Sequence, residues 1–224
     1  MFFEQLPQQL VNGIILGSIY ALLALGYTMV YGIAKMLNFA HGDVIMVGAY
    51  IILTCITRGG MSPILAVILS VVICTLLGVV IEKVAYSPLR KASSNLAVLI
   101  TAIGVSYLLQ NLATYVTGGL PQMYPALPGL SNQLTIAGVS TKYVTVVTPV
   151  LVVLLVAALT QLINHTRIGM AMRAVSRDFE TAQLMGIRIN SVISVTFIIG
   201  SLLAAIGSLL YFTNYQSIVP LSGS

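Results

Sequence analysis

At 224 residues, with 58% hydrophobic and 7% charged side chains and a mean hydropathy of +1.02, the chain cannot coat a water-soluble surface; soluble domains carry about 25% charge. The net charge of +5 does not mark a nucleic-acid binder, because the basic residues sit in short connections between apolar runs. Crossing a ~30 Å hydrocarbon core takes about 20 helical residues, so the length fits about six spans with no separate soluble domain.

The chain opens MFFEQLPQQL, with Glu4, no basic run and no convincing small-residue cleavage site. The first apolar segment, Leu10–Ala34, is therefore expected to stay as a span rather than be removed as a signal peptide. Residues 35–57 begin with Asn38, His41 and Asp43 and then turn fully apolar. This mixture predicts a broken or re-entrant element near residues 35–45. Segment three is Pro63–Ile81, with Pro63 suited to a helical first turn. Glu82 and Lys83 read as the interfacial end of that helix. Segments four, five and six are Leu96–Val116, Tyr143–Ile163 and Ser191–Thr213. Between segments four and five, Thr117–Lys142 holds Pro121, Pro125 and Pro128. It reads as an irregular loop with a short strand near Gln133–Val139. Cys55 and Cys74 lie in apolar surroundings without CxxC or metal-ligand spacing, and read as packing residues.

Charge sets the orientation. With the N-terminus outside, the inside connections hold Lys35, Lys83, Arg90, Lys91, Arg167, Arg173, Arg177 and Arg188, and the outside ones only Arg58 and Lys142. Such a bias places the two long basic connections in the cytoplasm. The longer, Asn164–Asn190, is amphipathic and holds Arg167, Arg173, Asp178, Glu180 and Arg188 among alanines and glycines. It predicts one or two short helices at the cytoplasmic face.

Two stretches carry a resemblance to a known family. Thr166, Gly169, Ala171, Arg173, Ala174, Asp178, Ala182, Gly186 and Ile187 follow the pattern of the cytoplasmic coupling loop of ABC importer permeases for branched-chain amino acids. The chain departs from that pattern at Met170, where the family often has a basic residue. Asn38, Phe39, Ala40, His41 and Gly42, followed by Met46, Gly48, Ala49 and Tyr50, are similar to a second motif of the same family. The resemblance implies an all-α polytopic permease of the bacterial cytoplasmic membrane. Its partners would be a second homologous permease, two cytoplasmic ATP-binding subunits and an extracytoplasmic substrate-binding protein. It also implies further Gly-rich spans beyond segment six, so residues 1–224 would be one permease domain incomplete at its C-terminus.

On that reading Arg167, Gly169, Ala171, Arg173, Ala174, Asp178, Ala182 and Gly186 dock the ATPases. The alanines would approach a groove on the partner, while Gly169 and Gly186 turn the backbone. Asn38, Phe39, His41, Gly42, Asp43, Tyr27 and Tyr31 are candidates for the substrate pathway. Asn38 suits the N-cap of a helix starting at Phe39, whose positive end could face an anion. Asn38, His41 and Asp43 could equally cap and anchor an interfacial helix, and Tyr27 and Tyr31, four apart on one face, are more often packing than pathway. The chain has no GxxxxGK[ST] loop, HExxH or GxSxG motif, so no ATP hydrolysis, metal, cofactor or catalytic residue is expected of it. A permease for urea or short amides, an ion-coupled carrier and a membrane-embedded enzyme are the competing functions.

Overall fold

The computed structural model describes residues 2–91, 95–125, 127, 133–136 and 139–220. Its chain order is α1 (Phe2–Ala34), α2 (Ala40–Thr57), α3 (Pro63–Ile81), α4 (Asn95–Thr117), β1 (Gln122–Met123), β2 (Gln133–Ile136) and β3 (Val139–Lys142). Then follow α5 (Tyr143–His165), α6 (Arg167–Arg177), α7 (Phe179–Leu184), α8 (Ile189–Tyr215) and β4 (Ser217–Ile218). α3 runs on as a π turn, Glu82–Tyr86, followed by a 3-10 turn, Pro88–Lys91. Six helices, α1 to α5 and α8, are long and apolar enough to cross a membrane. The chain is an all-α, multi-pass membrane protein, and each crossing helix matches a predicted segment to within a few residues at most ends. The exception is α1, which begins well before Leu10.

α2 and α8 form the centre, with α1 and α3 packed against α8, α3 and α4 against α2, and α5 against α1. Small residues let these backbones approach, as expected where lipid competes for every apolar face. A Cβ on Gly48 of α2 would lie 3.0 Å from Ser208 Oγ of α8 and 3.1 Å from Cys74 Sγ of α3. Ser70 of α3 donates to the Gly48 carbonyl at 2.9 Å, and the Cys74 thiol reaches the Val44 carbonyl at 3.6 Å. Cys74 is thus a buried packing residue, as its surroundings suggested.

The predicted break is present. α1 ends at Ala34, Lys35 turns with φ 55°, and residues 35–38 are not helical before α2 begins at Ala40. The His41 ring lies against Gly26. Gly26 lies eight residues, about 12 Å, before the end of α1, so the first turn of α2 reaches back into the bundle from that end.

At the opposite end, β1 pairs antiparallel with β4, tying the loop after α4 to the chain after α8. β2 and β3 form a hairpin where one short strand was expected. The remaining loop residues 126, 128–132 and 137–138, and the terminal residues 221–224 on which the expectation of further spans bears, lie outside the described residues.

Candidate functional site

Two regions hold the residues singled out from the sequence. The first surrounds the recessed start of α2. Asn38 is buried but does not cap the helix; the N-cap is Phe39, and no side chain caps it. The Asn38 backbone carbonyl instead accepts the His41 N–H at 3.2 Å. Its side-chain oxygen accepts from the Tyr86 hydroxyl at 3.2 Å, which explains why the expected cap does not form. Phe39 and Tyr31 are exposed and stand outside the cluster, and Gly42 is half-buried.

His41 and Asp43, two positions apart on one helix, face different ways. His41 fills a slot against Gly26 of α1, close to Gly200 of α8, with the Tyr27 ring edge-on at 6.5 Å. Its Nε2 is buried with no hydrogen-bond partner. Asp43 is 0% exposed and turns to α4. There Ser106 donates to one carboxylate oxygen at 2.5 Å and Gln110 to the other at 3.1 Å. Gln110 also donates to Ser106 at 3.1 Å, closing a triad. Among the described residues no cation pairs with Asp43, so hydrogen bonds alone offset its burial. Ser106 and Gln110 were missed from the sequence, although their i, i+4 spacing on a span was a readable polar stripe.

The second region is the α6–α7 element. Thr166 caps α6, accepting the Gly169 N–H at 3.0 Å, and the Arg173 guanidinium donates to the Ile163 carbonyl at the end of α5. Such capping satisfies orphan groups at both helix ends. Asp178 caps α7 through the Thr181 hydroxyl and the Glu180 N–H, and these bonds hold its carboxyl below the usual range. Gly186 adopts φ 83°, the left-handed turn that glycine permits, and the Ile187 N–H returns to the Ala182 carbonyl at 3.1 Å.

Ala182 is buried, and Ala171 and Ala174 are half-buried against the cluster that holds Met172 and Val175, so all three also pack on the bundle. One expectation here is corrected. Gly169 is not a turn; it is buried within α6, where a Cβ would overlap the Ile163 and Leu162 carbonyls. The outward surface is made by Arg167, Ile168, Met170, Arg177, Glu180, Leu184 and Met185, with Leu184 87% and Met185 78% exposed. Glu82 stands at the end of α3, as the sequence suggested, and is the C-cap of that helix. Its side chain is fully buried, ion-paired with Arg90 and bonded by Ser194 at 2.9 Å.

Residues 9–224 match the family described as branched-chain amino acid transport system, permease component. The chain is 40% identical over 224 residues to the high-affinity branched-chain amino acid transport system permease protein BraD of Pseudomonas aeruginosa, covering 95% of this chain and 73% of that protein. It is 39% identical over 230 residues to the permease protein LivH of the corresponding Escherichia coli K12 system, covering 96% and 73%. A probable branched-chain amino acid transport permease protein of Methanocaldococcus jannaschii is 29% identical over 222 residues, covering 96% and 68%. No solved structure matches the chain.

Proposed function

The chain belongs to the branched-chain amino acid transport permease family, and from that premise we propose that it lines the translocation pathway of an ATP-driven importer for leucine, isoleucine and valine. The observation that carries this reading is the unbroken match over residues 9–224, which includes all six crossing helices and the α6–α7 element. ATP would be hydrolysed on two separate cytoplasmic chains, with a second permease and an extracytoplasmic binding protein completing the assembly.

The geometry supports a division of labour. α6 buries Met172 and Val175 and packs on α1, α5 and α8, so a push on α6 reaches three spans at once. The exposed Leu184 and Met185 at the end of α7 offer apolar anchors for a partner groove, with exposed Glu180 one turn earlier on the same helix. Fully burying a Leu or Met side chain is worth about 1.5–3 kcal/mol, more than an exposed ion pair, which contributes about 0–1 kcal/mol. Inside the bundle, the start of α2, flanked by Asn38, His41 and Tyr27, directs a positive helix end that would suit a substrate carboxylate.

The test is uptake of labelled leucine and urea by vesicles containing the chain with its partner subunits, together with co-purification of the ATP-binding chains. Leucine uptake is expected, and the Leu184→Asp, Met185→Asp double variant should lose the ATP-binding chains while the permease stays folded. Uptake of urea without leucine would replace the substrate assignment. Undiminished co-purification of the double variant would remove α7 from the docking surface.

A further inference from the structure

Three features meet where α3 ends. The helix leaves α geometry there, and the Glu82–Tyr86 π turn is closed by the Ser87 N–H on the Glu82 carbonyl at 2.7 Å. Single π turns are uncommon and concentrate at functional positions. On one side of the turn, the buried Glu82 carboxylate holds Arg90 and accepts from Ser194, and Arg90 donates to Asn190 Oδ1 at 2.7 Å. Asn190 and Ser194 lie in the first two turns of α8, directly after the Gly186 turn that closes the α6–α7 element. On its other side, the same turn buries Tyr86, which lies against Phe197 of α8 at 5.4 Å between ring centroids. The Tyr86 hydroxyl donates to Asn38 Oδ1, in the segment that leads into α2.

The geometry points to a relay in which the Glu82–Tyr86 π turn transmits movement of the α6–α7 element to the recessed start of α2, with Glu82, Arg90 and Tyr86 as its positioning residues. This rests on the reading that α6 and α7 receive the motion of the partner ATPases. Separating a buried ion pair leaves an uncompensated charge. Glu82 and Arg90 therefore follow the first turns of α8 when these move. Tyr86 sits one helical turn beyond Glu82 and must follow, carrying its hydroxyl and hence Asn38. Coupling between distant sites needs an element with two discrete arrangements, and the π and α hydrogen-bond patterns of this segment supply them. Anchoring alone would not require this arrangement. Lys83, next to Glu82, is exposed and would serve that purpose without burying a charge.

The experiment uses the assembled transporter in lipid nanodiscs and vesicles. It compares wild type with Tyr86→Phe, Glu82→Gln and the exchange Glu82→Arg with Arg90→Glu. ATP hydrolysis is measured with and without leucine-loaded binding protein, alongside leucine uptake and thermal melting. Tyr86→Phe should assemble, melt within a few degrees of wild type, keep its basal hydrolysis and lose roughly 2- to 30-fold in leucine moved per ATP. Glu82→Gln should lower stimulated hydrolysis, and the exchange should restore part of it. Wild-type uptake per ATP in Tyr86→Phe would overturn the relay. A parallel fall of melting temperature, basal hydrolysis and uptake would also overturn it, because that is the pattern of a purely structural contact. Wild-type hydrolysis that ignores leucine would instead sink the functional reading, and the relay with it.

Discussion

A methyl group added at Gly26 probes whether His41 is held in a closed slot. The new Cβ would stand 2.8 Å from both Cε1 and Nε2 of His41 and 3.5 Å from the Gly200 carbonyl oxygen. Unstrained carbon contacts lie near 3.5–4.0 Å, so the ring must withdraw by most of an ångström. It has little room, being 5% exposed with Tyr27 at its edge. Overpacking of this kind costs about 1–3 kcal/mol, against a helix-propensity gain of up to ~1 kcal/mol for replacing glycine by alanine. Gly26→Ala should therefore destabilise by about 1–2 kcal/mol. Gly32→Ala is the control, because a Cβ there meets nothing within 4 Å. It should be neutral or stabilise by about 0.5–1 kcal/mol. The assay is reversible unfolding in mixed micelles, followed by helical circular dichroism, in wild-type and His41→Ala backgrounds. With the ring gone, Gly26→Ala should behave as Gly32→Ala does, giving an interaction energy of about 1–3 kcal/mol. An equal cost of Gly26→Ala in both backgrounds would refute the slot.

Asp43→Ala should destabilise by about 2–4 kcal/mol, because it removes the buried acceptor of half-buried Ser106 and buried Gln110 and severs their link to α2; unchanged unfolding in the same micelle titration would show that the triad does not hold α4. Topology is open to thiol labelling on a background lacking Cys55 and Cys74, using Arg177→Cys and Met123→Cys at exposed positions. An impermeant maleimide added to intact cells should label only Met123→Cys, and labelling at 177 would reverse the orientation. The Asp178 cap has a pH signature. Its folded pKa is lowered by the Thr181 hydroxyl and the Glu180 N–H, so its contribution is complete above the unfolded value of about 3.9 and disappears as pH falls through the folded value. Amide exchange across residues 179–184 should be faster in Asp178→Ala than in wild type at pH 7, and the two should converge in strong acid. A difference that persists there would assign it to something other than the carboxylate.

The spans were legible because each is an apolar run bounded by charge, glycine or proline, and the break before α2 because Asn38, His41 and Asp43 interrupt one. What escaped were partners distant in sequence. Asn38 is held by Tyr86, Asp43 by residues more than sixty positions away, and Glu82 by Ser194, 112 positions on. The π turn was hidden as well, since residues 82–86 show no break in apolar pattern that distinguishes i→i+5 from i→i+4 bonding. The inward set of the α6 alanines was within reach. Gly169, Met172 and Val175 recur at three-residue intervals and mark the buried face that Ala171 and Ala174 flank. In a membrane bundle small residues also serve internal approach, and these alanines do so.

Burial divides the helices in a way that assigns roles to the polar groups. In their most apolar windows α2 is 56% and α8 61% buried, whereas α5 is 17% and α3 and α4 are each 28% buried. Outward Leu, Ile and Val side chains on α3, α4 and α5 gain nothing from one protein neighbour that a lipid tail would not also give. Apolar area therefore cannot fix where a peripheral helix sits, and directional contacts must. For α3 these are Ser70 and Cys74 on the α2 carbonyls and Glu82 to Ser194 of α8. For α4, among the described residues, they include the Asp43–Ser106–Gln110 triad on α2. Both acids buried in the described structure thus lie on seams between a peripheral element and the central pair, where each has hydrogen-bonding partners on the far side. That position explains how a span can keep a carboxylate that lipid would not tolerate, and why the cost of removing it falls on the seam rather than on the helix that carries it.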